Sequence, residues 1–243
     1  MAAPSPPPAP LLFQDLPLAR LRRSTQARPA EDLLEETRFT LEVLPHTTVA
    51  VLGDEGSGVD SLGGLALALD PVPDGRVLTL GIEPARLERR ELLAFRRRVG
   101  YLPAGDGLLQ NLTLRENIRL PLHFGSNFRS RDIEGKVDVI LAQLRLSKAA
   151  HLLPAQANDE DRRRAALGRA LAFDPELVIL EQPFDGLTER VAAELLELAR
   201  GGEVAEGSRR TVFITGQEIP SLLRPRVDRI VRLSRGGVGA LRP

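Results

Sequence analysis

The sequence predicts an α/β protein with a mainly parallel core sheet, and three observations support this class. Thr48–Leu52 reads TVAVL, a β-branched run with no polar face, as expected for a strand that is buried on both sides. A glycine-rich turn and then an alanine- and leucine-rich stretch with helical spacing follow it directly. Leu177–Leu180 and Thr211–Thr215 are further apolar runs of strand length, separated by the helical pattern Glu189–Ala199. Such alternation of strands with helices is typical of parallel sheets.

The other elements follow in chain order. Leu11–Leu16 and Phe39–Leu44 alternate apolar with polar residues, as half-buried strands do. Two more strands and two helices are predicted in the first half of the chain: strands Gly75–Leu80 and Val99–Leu102, helices Ser61–Leu69 and Arg86–Arg98. Three helices are predicted beyond Asn111: Leu114–Leu122, Asp132–Leu144 and Asp159–Phe173. This block has no convincing strand, so residues 111–173 are expected to form an inserted helical subdomain.

Composition limits the classes of protein that need be considered. The 243 residues carry 33 basic and 33 acidic side chains, so a nucleic-acid-binding surface is not expected. The chain has no cysteine, which excludes disulfides and thiolate chemistry, and His46, His123 and His151 lack partners at metal-ligand spacing. Residues 1–10 form a proline-rich tail, expected to be disordered, and residues 11–243 are expected to form one domain. With no apolar span and no leader pattern, a cytoplasmic location is expected.

The turn after Leu52 has the spacing of a phosphate-binding loop. It contains Gly53, Gly56, Ser57, Gly58 and Ser61, between a buried strand and a predicted helix. Backbone N–H groups in such a glycine turn converge on a phosphate, helped by the helix N-terminus, a lysine and a metal-binding Ser or Thr. These five residues are therefore the candidate nucleotide-binding residues.

The charge of this loop is inverted relative to a phosphate site. Val59 occupies the place of the lysine and Asp60 the place of the metal-binding hydroxyl, while Asp54 and Glu55 add two carboxylates. One such charge about 4 Å from a phosphate oxygen costs on the order of 4 kcal/mol at an effective dielectric near 20. A glycine turn that merely joins strand to helix is the other interpretation of the loop taken alone. The chain has only two lysines, Lys136 and Lys148, and both lie in the helical block.

Later segments carry a more specific pattern. The stretches concerned are Gly100–Pro103 (GYLP), Asn111–Ile118 (NLTLRENI), Leu153–Gln156 (LPAQ), Arg163–Glu176 (RRAALGRALAFDPE), Leu177–Phe184 (LVILEQPF) and Asp185–Thr188 (DGLT). In order and spacing they resemble the ATPases of the ATP-binding-cassette (ABC) family, over nearly all of Leu11 to Leu241. The resemblance implies the P-loop NTPase-like ABC ATPase fold, with an antiparallel β part beside the parallel core sheet. RRAAL and PF-x-GL resemble most the ATPase subunits of Mla/Mce-type lipid transporters.

The departures from this family fall on the residues to which the resemblance assigns chemistry. Ala104 matches the Q-loop glutamine, Ala157–Asp161 (ANDED) the LSGGQ signature, Glu181 the Walker B aspartate, Gln182 the catalytic glutamate, Thr188 the D-loop aspartate and Gly216 the switch histidine. No aromatic residue between Arg20 and Thr37 is present to stack on adenine. A glutamine cannot accept a proton from the attacking water, so general-base catalysis is expected to be lost.

These observations predict a degenerate nucleotide-binding subunit, or pseudo-ATPase, of a lipid-type ABC transporter. The predicted partners are an integral membrane permease subunit and either a second copy or a complete cassette, at the inner face of the cell membrane. ATP is expected to bind weakly at most, and no metal site is assigned. Leu108, Leu109, Leu120 and Leu122 are expected to line the permease contact, with ordinary core positions as the alternative. A divergent active ATPase and a soluble regulatory protein remain alternatives.

Overall fold

The protein is described from a computed structural model, which covers residues 8–21, 37–54, 56–201, 209–234 and 237–241. The strands within these residues are β1 Leu11–Pro17, β2 Arg38–Val43, β3 Thr48–Gly53, β4 Arg76–Thr79, β5 Val99–Leu102, β6 Leu177–Glu181, β7 Thr211–Gly216, β8 Arg229–Ser234 and β9 Gly237–Leu241. The α-helices are α1 Leu18–Leu21, α2 Leu62–Ala66, α3 Arg89–Arg96, α4 Leu114–Gly125, α5 Ser130–Gln143, α6 Asp159–Leu171 and α7 Glu189–Arg200. Among the described residues, no helix is both long and apolar enough to cross a membrane.

The strands form two sheets. The larger has the order β5-β6-β7-β3-β8-β9, in which the first five strands are parallel and β9 runs antiparallel to β8. The smaller is antiparallel, with the order β2-β1-β4. Because the parallel strands share one direction, their carboxyl ends meet at one edge of the sheet, where ligands bind in open α/β folds. The predicted parallel core with an antiparallel β part is confirmed.

The central strands are buried because both faces of the parallel sheet are covered. All residues of β3, β6 and β7 are buried. Ala50 and Leu52 face one apolar cluster, which includes the helical block, whereas Val49 and Val51 face a second cluster, which includes the antiparallel sheet. This alternation is the period of two of a strand. It explains why these strands are continuous apolar runs.

The helical block contains α4, α5 and α6, near the three positions that the apolar spacing predicts. Thr113 caps α4 through a reciprocal capping box with Glu116. The buried Asn117 side chain bonds the loop before the helix, accepting from Leu109 N and donating to Leu109 O. A Cβ at Gly168 on α6 would lie 3.1 Å from the Ile118 side chain, so the glycine lets α6 approach α4 closely.

Helices α2 and α3 are shorter than predicted, α4 extends to Gly125 rather than Leu122, and two strands are additional. Helix α2 ends at Ala66 rather than Leu69, because the Leu69 N–H bonds back to Gly64 O and Ala68 takes a left-handed conformation with φ 50°. Helix α3 is confined to Arg89–Arg96 and is preceded by a 3₁₀ turn. Strands β8 and β9 complete the sheet edge. Residues 1–7 of the predicted tail and residues 202–207 of the glycine-rich link lie outside the described residues.

Candidate functional site

The candidate loop runs from the end of β3 to a 3₁₀ turn, Val59–Ser61, that leads into α2. The backbone geometry of the loop requires glycine at three positions. A Cβ at Gly53 would overlap Ser57 Oγ and lie 2.9 Å from Leu233 O, and Gly56 and Gly58 have φ values of 77° and 94°. The Ser57 N–H donates to Asp54 O at 2.9 Å, which closes a tight turn. The strand–glycine turn–helix arrangement that the sequence predicts is therefore present.

Both serine hydroxyls of the loop are hydrogen-bonded to the chain itself. Ser57 is buried, and its Oγ accepts the Val59 N–H at 3.4 Å. Ser61 is also buried, and its hydroxyl donates to Leu21 O at 2.7 Å. Val59 is 1% exposed and belongs to the apolar cluster under the antiparallel sheet. Leu21 packs closely on the turn: a Cβ added at Gly58 would lie 2.7 Å from the Cβ of Leu21.

The acidic residues of the loop have different surroundings. Asp54 lies 3.3 Å from the Arg232 guanidinium, an exposed pair that adds little stability. Asp60 is exposed in the first turn after Gly58, where the partial positive charge of the helix end favours a carboxylate. Glu55 lies outside the described residues.

Glu181, at the end of β6, lies beneath α2. Its Oε2 accepts the Ala104 N–H at 3.3 Å, and the side chain is buried. A Cβ at Gly63 would overlap Glu181 Oε1 and lie 3.1 Å from Cδ. Glycine at position 63 therefore leaves the space that the longer glutamate side chain occupies. The two positions that the resemblance assigns to the Q-loop and to Walker B are hydrogen-bonded to each other.

Gln182 and Gly216 are neighbours at the carboxyl edge of the sheet. Gln182 has a φ of 45° and donates its N–H to Thr215 O at 2.7 Å. A Cβ at Gly216 would make ordinary contact with Gln182 Cα, at 3.7 Å. The fold thus brings together the positions that the resemblance assigns to the catalytic glutamate and the switch histidine. Thr188 lies further along, as the N-cap of α7, where it accepts the Val191 N–H at 3.5 Å.

The segment Ala157–Asp161 leads into α6 and forms its first three residues. Asn158 is the N-cap and accepts the Asp161 N–H at 2.7 Å. Asp159, which is exposed, pairs with Arg162. A Cβ at Gly186 would lie 4.0 Å from Asp159 Oδ2, so this segment and the turn before α7 are adjacent. The carboxylates of the first turn suit the helix end and are stabilised by it.

The arginine run Arg162–Arg164 contains residues whose role the sequence did not reveal. The charge run alone predicts a solvated helix face rather than a nucleic-acid-binding patch. Arg164, however, is 3% exposed and pairs with Glu160 at 2.8 Å and Glu194 at 2.7 Å. That prediction is therefore wrong for Arg164. Burial lowers the pKa of Arg163, against the opposing effect of Asp106 and Asp185. Successive residues of a helix point in different directions, so one arginine of the run is buried while its neighbours are more exposed. The charge of the run alone does not indicate which arginine that is.

Arg169 is another arginine whose role the sequence pattern does not reveal. It donates to Gly107 O at 2.7 Å and to Asp106 O at 3.2 Å, and burial lowers its pKa. The loop between β5 and α4 is thereby fastened to α6. Asp106 has a φ of 83°, a conformation that is unfavourable for a residue other than glycine, and the bonds from Arg169 help to hold it.

A cavity of about 340 Å³ lies between α3, β5, α4 and the end of α6. Leu93 and Phe124 on its wall are 52% and 77% exposed, and Arg97 lies beside Gly125. Its remaining lining includes Arg96, Val99, Tyr101, Pro121, Arg169, Ala170 and Phe173. An apolar groove with a basic rim is typical of a surface that receives another chain.

The four leucines expected to line a permease contact divide into two groups. Leu109 is 43% exposed and Leu120 is half-buried. Leu108 and Leu122 are buried in the apolar core, which corrects their assignment to a contact surface. Their burial follows from the Asn117 bonds that fold the loop onto α4 and from the inward face of α4. The core alternative is right for those two residues.

The fold and site together define an α/β protein with a strand–glycine turn–helix loop at the carboxyl edge of a parallel sheet. The sequence model of the family described as ABC transporter matches residues 37–185, so the chain belongs to this family. It is similar to methionine import ATP-binding protein MetN 2 of Pseudomonas aeruginosa, at 26% identity over 84% of this chain and 60% of that protein. It is also similar to an uncharacterized ABC transporter ATP-binding protein of Thermotoga maritima, at 29% identity over 82% and 86%.

Solved structures agree with the fold. The dimeric post-hydrolysis ATP-binding cassette MJ0796, bound to ADP and Pi, aligns with a TM-score of 0.77 and 23% identity, covering 96% of this chain and 99% of that one. The chain spans about 60% of the length of the MetN 2 relative. The predicted family and fold class are therefore confirmed.

Proposed function

We propose that this chain is a pseudo-ATPase subunit of an ABC transporter of lipid type, which acts as a scaffold or regulator at the cytoplasmic membrane face. The observation that carries the proposal is the Gly53–Ser61 loop. Val59 is buried at the place of the phosphate-binding lysine, and the hydroxyls of Ser57 and Ser61 bond the chain's own backbone. The loop keeps its turn, but both serine hydroxyls and the N–H groups of Ser57, Val59 and Ser61 are hydrogen-bonded within the chain. A triphosphate that bound these groups would have to displace those bonds.

The residues present do not fit a magnesium–triphosphate group. Asp60 replaces the hydroxyl that is expected to bind the metal. The Glu181 carboxylate lies beneath α2, where it accepts the Ala104 N–H and fills the space beside Gly63. Gln182 stands where a carboxylate would accept a proton, and an amide cannot do so. Hydrolysis of ATP would need a general base, a cation that binds the phosphates and a metal site together. The substitutions affect each of these requirements.

The signature segment supports the same conclusion. Its first turn carries Asp159, Glu160 and Asp161, and the phosphates of a partner's nucleotide would approach this helix end. Carboxylates there oppose a triphosphate through like-charge repulsion. In a homodimer, both composite sites would combine an altered loop with this acidic turn. In a heterodimer with a complete cassette, only the partner's own loop would retain its lysine.

The groove between α3 and α4 is the surface to which we assign the permease. Leu93 and Phe124 offer exposed apolar area, and three of its lining residues are arginines, whereas no acidic residue of the described chain lines it. An apolar helix with acidic flanks would be complementary to it. The lipid class of the transporter rests on the RRAAL and PF-x-GL resemblance. The named substrates of relatives, such as methionine, belong to those proteins.

Membrane fractionation tests the transporter assignment. The chain, tagged and expressed at native level, is expected to sediment with membranes and to leave them when its permease is deleted. A protein found only in the soluble fraction would favour the soluble regulatory alternative. Mass spectrometry of the membrane-derived complex then identifies the permease and shows whether a complete cassette accompanies it. Release of labelled phosphate by the purified chain would instead favour the divergent active ATPase.

A further inference from the structure

A second groove lies away from the nucleotide edge, between α5, α7 and the 3₁₀ helix Ser221–Arg226. It consists of two adjoining cavities of about 660 and 450 Å³, which share Gln143, Glu197 and Leu198 as lining. Both volumes fall in the range of small-molecule sites, roughly 300–1,000 Å³. The groove is called the α5/α7 groove below. It belongs neither to the candidate loop nor to the groove assigned to the permease.

The two ends of the α5/α7 groove differ in chemistry. The larger cavity is mainly apolar, with Val139 56% exposed and Ile140, Leu171 and Leu198 half-buried along it. The smaller cavity is basic: Arg145, Arg190 and Arg226 line it, and Leu222 forms an exposed apolar wall. An apolar trough that leads into a basic pocket is complementary to a molecule with an apolar chain and an anionic end.

The arginines of the smaller cavity exceed the carboxylates that face them. Glu194 Oε2 is taken by the buried Arg164 at 2.7 Å. Its Oε1 lies 3.5 Å from Arg145 Nη1 and 3.8 Å from Arg190 Nη1, so these two guanidinium groups share one oxygen at the limit of an ion pair. Their side chains are 71% and 78% exposed. The two largely exposed guanidinium groups therefore both lie near Glu194 Oε1 at long distances, so their N–H donors can also bind the carboxylate or phosphate of a ligand in the cavity.

The whole groove carries the same excess of positive charge. Its basic lining residues are Lys136, Arg145, Arg164, Arg190, Arg210 and Arg226, against the acidic Asp174, Glu194 and Glu197. Two charged residues outside the lining contact it: the acidic Glu160 pairs with Arg164, and the basic Arg200 pairs with Glu197. Their charges are opposite and cancel. The net formal charge of the groove thus stays at +3. Arg226, at 3.2 Å from Glu197, extends the basic end toward the apolar trough.

Arg145 is held in place by the backbone. It follows the C-terminus of α5 with a φ of 57°, and the Leu146 N–H bonds back to Leu141 O at 2.8 Å. Such a left-handed closure fixes where the side chain leaves the helix. Arg190 lies in the first turn of α7, so the two guanidinium groups come from separate, rigid elements.

We propose that the α5/α7 groove binds a single-chain anionic amphiphile, with its alkyl chain along Val139 and Leu198 and its carboxylate or phosphate between Arg145 and Arg190. The bound molecule would contact both the helical block, through α5, and the core layer, through α7. It would thereby couple the position of the helical block to that of the core layer. This proposal is independent of whether the chain hydrolyses ATP.

Calorimetry on the full chain tests the proposal, with decanoate and decyl phosphate as probes below their micelle concentrations. Decanoate is expected to bind, whereas decanol, which lacks the charge, and acetate, which lacks the chain, are expected to bind at least tenfold more weakly. Equal binding of decanol and decanoate would overturn the proposal, because the arginines would then contribute nothing. Absence of decanoate binding to the folded chain would overturn it as well.

Variants locate the site. Arg145→Gln combined with Arg190→Gln is expected to weaken decanoate binding about tenfold, since hydrogen bonds to charged groups are lost. Val139→Asn is expected to weaken it several-fold through the lost apolar contact. The matched control, Arg89→Gln with Arg90→Gln, removes the same charge from exposed positions on α3 and should leave binding unchanged. An equal loss in the control would overturn the site. Binding seen only with anionic vesicles would assign the arginines to a lipid surface instead.

Discussion

Gly63 and Glu181 fit together: the Glu181 carboxylate fills the space that a side chain at position 63 would need, so that a Cβ there would lie 3.1 Å from Glu181 Cδ. The same carboxylate accepts the Ala104 N–H. Glutamate is one methylene longer than the aspartate that the family resemblance leads one to expect. In this chain, the extra length is accommodated by a glycine on α2, and the group is directed into the protein.

This relationship predicts a length-dependent effect of substitution at Gly63. Gly63→Ala is expected to lower the free energy of unfolding by about 1–3 kcal/mol, because overpacking a buried site forces its neighbours to move. In a Glu181→Asp background, the same change should cost clearly less. Denaturant unfolding of the four proteins in this cycle measures the coupling. Equal costs in both backgrounds would show that Glu181 does not occupy the space at Gly63.

The phosphate loop can be partly restored. Val59→Lys with Asp60→Thr is expected to raise the affinity for magnesium–ATP by at least tenfold, because it adds a cation and removes a carboxylate. Val59 is buried, so the change should also cost about 1–3 kcal/mol of stability. Val59→Leu with Asp60→Thr is the control that lacks the cation. Equilibrium dialysis with labelled ATP measures both, and no gain in the lysine variant would show that the backbone of the loop has diverged too.

The permease contact is predicted to be sensitive to charge. Leu93→Glu with Phe124→Glu, on the groove wall, is expected to release the chain from membranes without unfolding it. Leu109→Glu with Gln110→Glu lies outside that wall, in the loop before α4, and is expected to act similarly if the contact extends to the exposed Leu109. Leu44→Glu with Leu69→Glu replaces exposed leucines elsewhere, at 57% and 51% exposure, and serves as the control. Sedimentation and circular dichroism are measured together. Folded groove variants that still sediment would assign docking to another surface.

Glu194 is predicted to make stability depend on pH. The hydrogen bond from Arg164, together with the charges of Arg145, Arg164 and Arg190, lowers its pKa against the effect of burial. A carboxyl with a lowered folded-state pKa stabilises the protein above the ordinary glutamate pKa, and this contribution is lost as pH falls through the folded value. Glu194→Gln should therefore cost about 1–3 kcal/mol at pH 7, with a smaller difference toward pH 3. A difference independent of pH would contradict this account.

The sequence predicted those elements whose apolar pattern has one clear period. The buried runs of β3, β6 and β7 and the helices of the central block lie close to their predicted positions. The end of α2 could not be predicted, because it depends on the bonds of Leu69 and Asp70 to Gly64 O. Local turn geometry of this kind leaves no periodic signal in the sequence.

The candidate site was predicted in position more than in detail. The structure brings Gln182 beside Gly216 and Glu181 beside Ala104, because these residues lie at or just beyond the carboxyl ends of neighbouring sheet strands. The burial of Val59 and Ser57 could not be read from the sequence. It depends on Leu21, which is 38 residues away from Val59 and packs on the turn through the fold.

The central claim is the loss of ATP hydrolysis, and release of labelled phosphate by the purified chain tests it most directly. With magnesium present, turnover by the isolated chain is expected to equal that of an identically prepared buffer control. Gln182→Glu should not restore it, since the cation and metal positions at Val59 and Asp60 remain altered. Phosphate release above the control that disappears on Glu181→Gln would contradict the account.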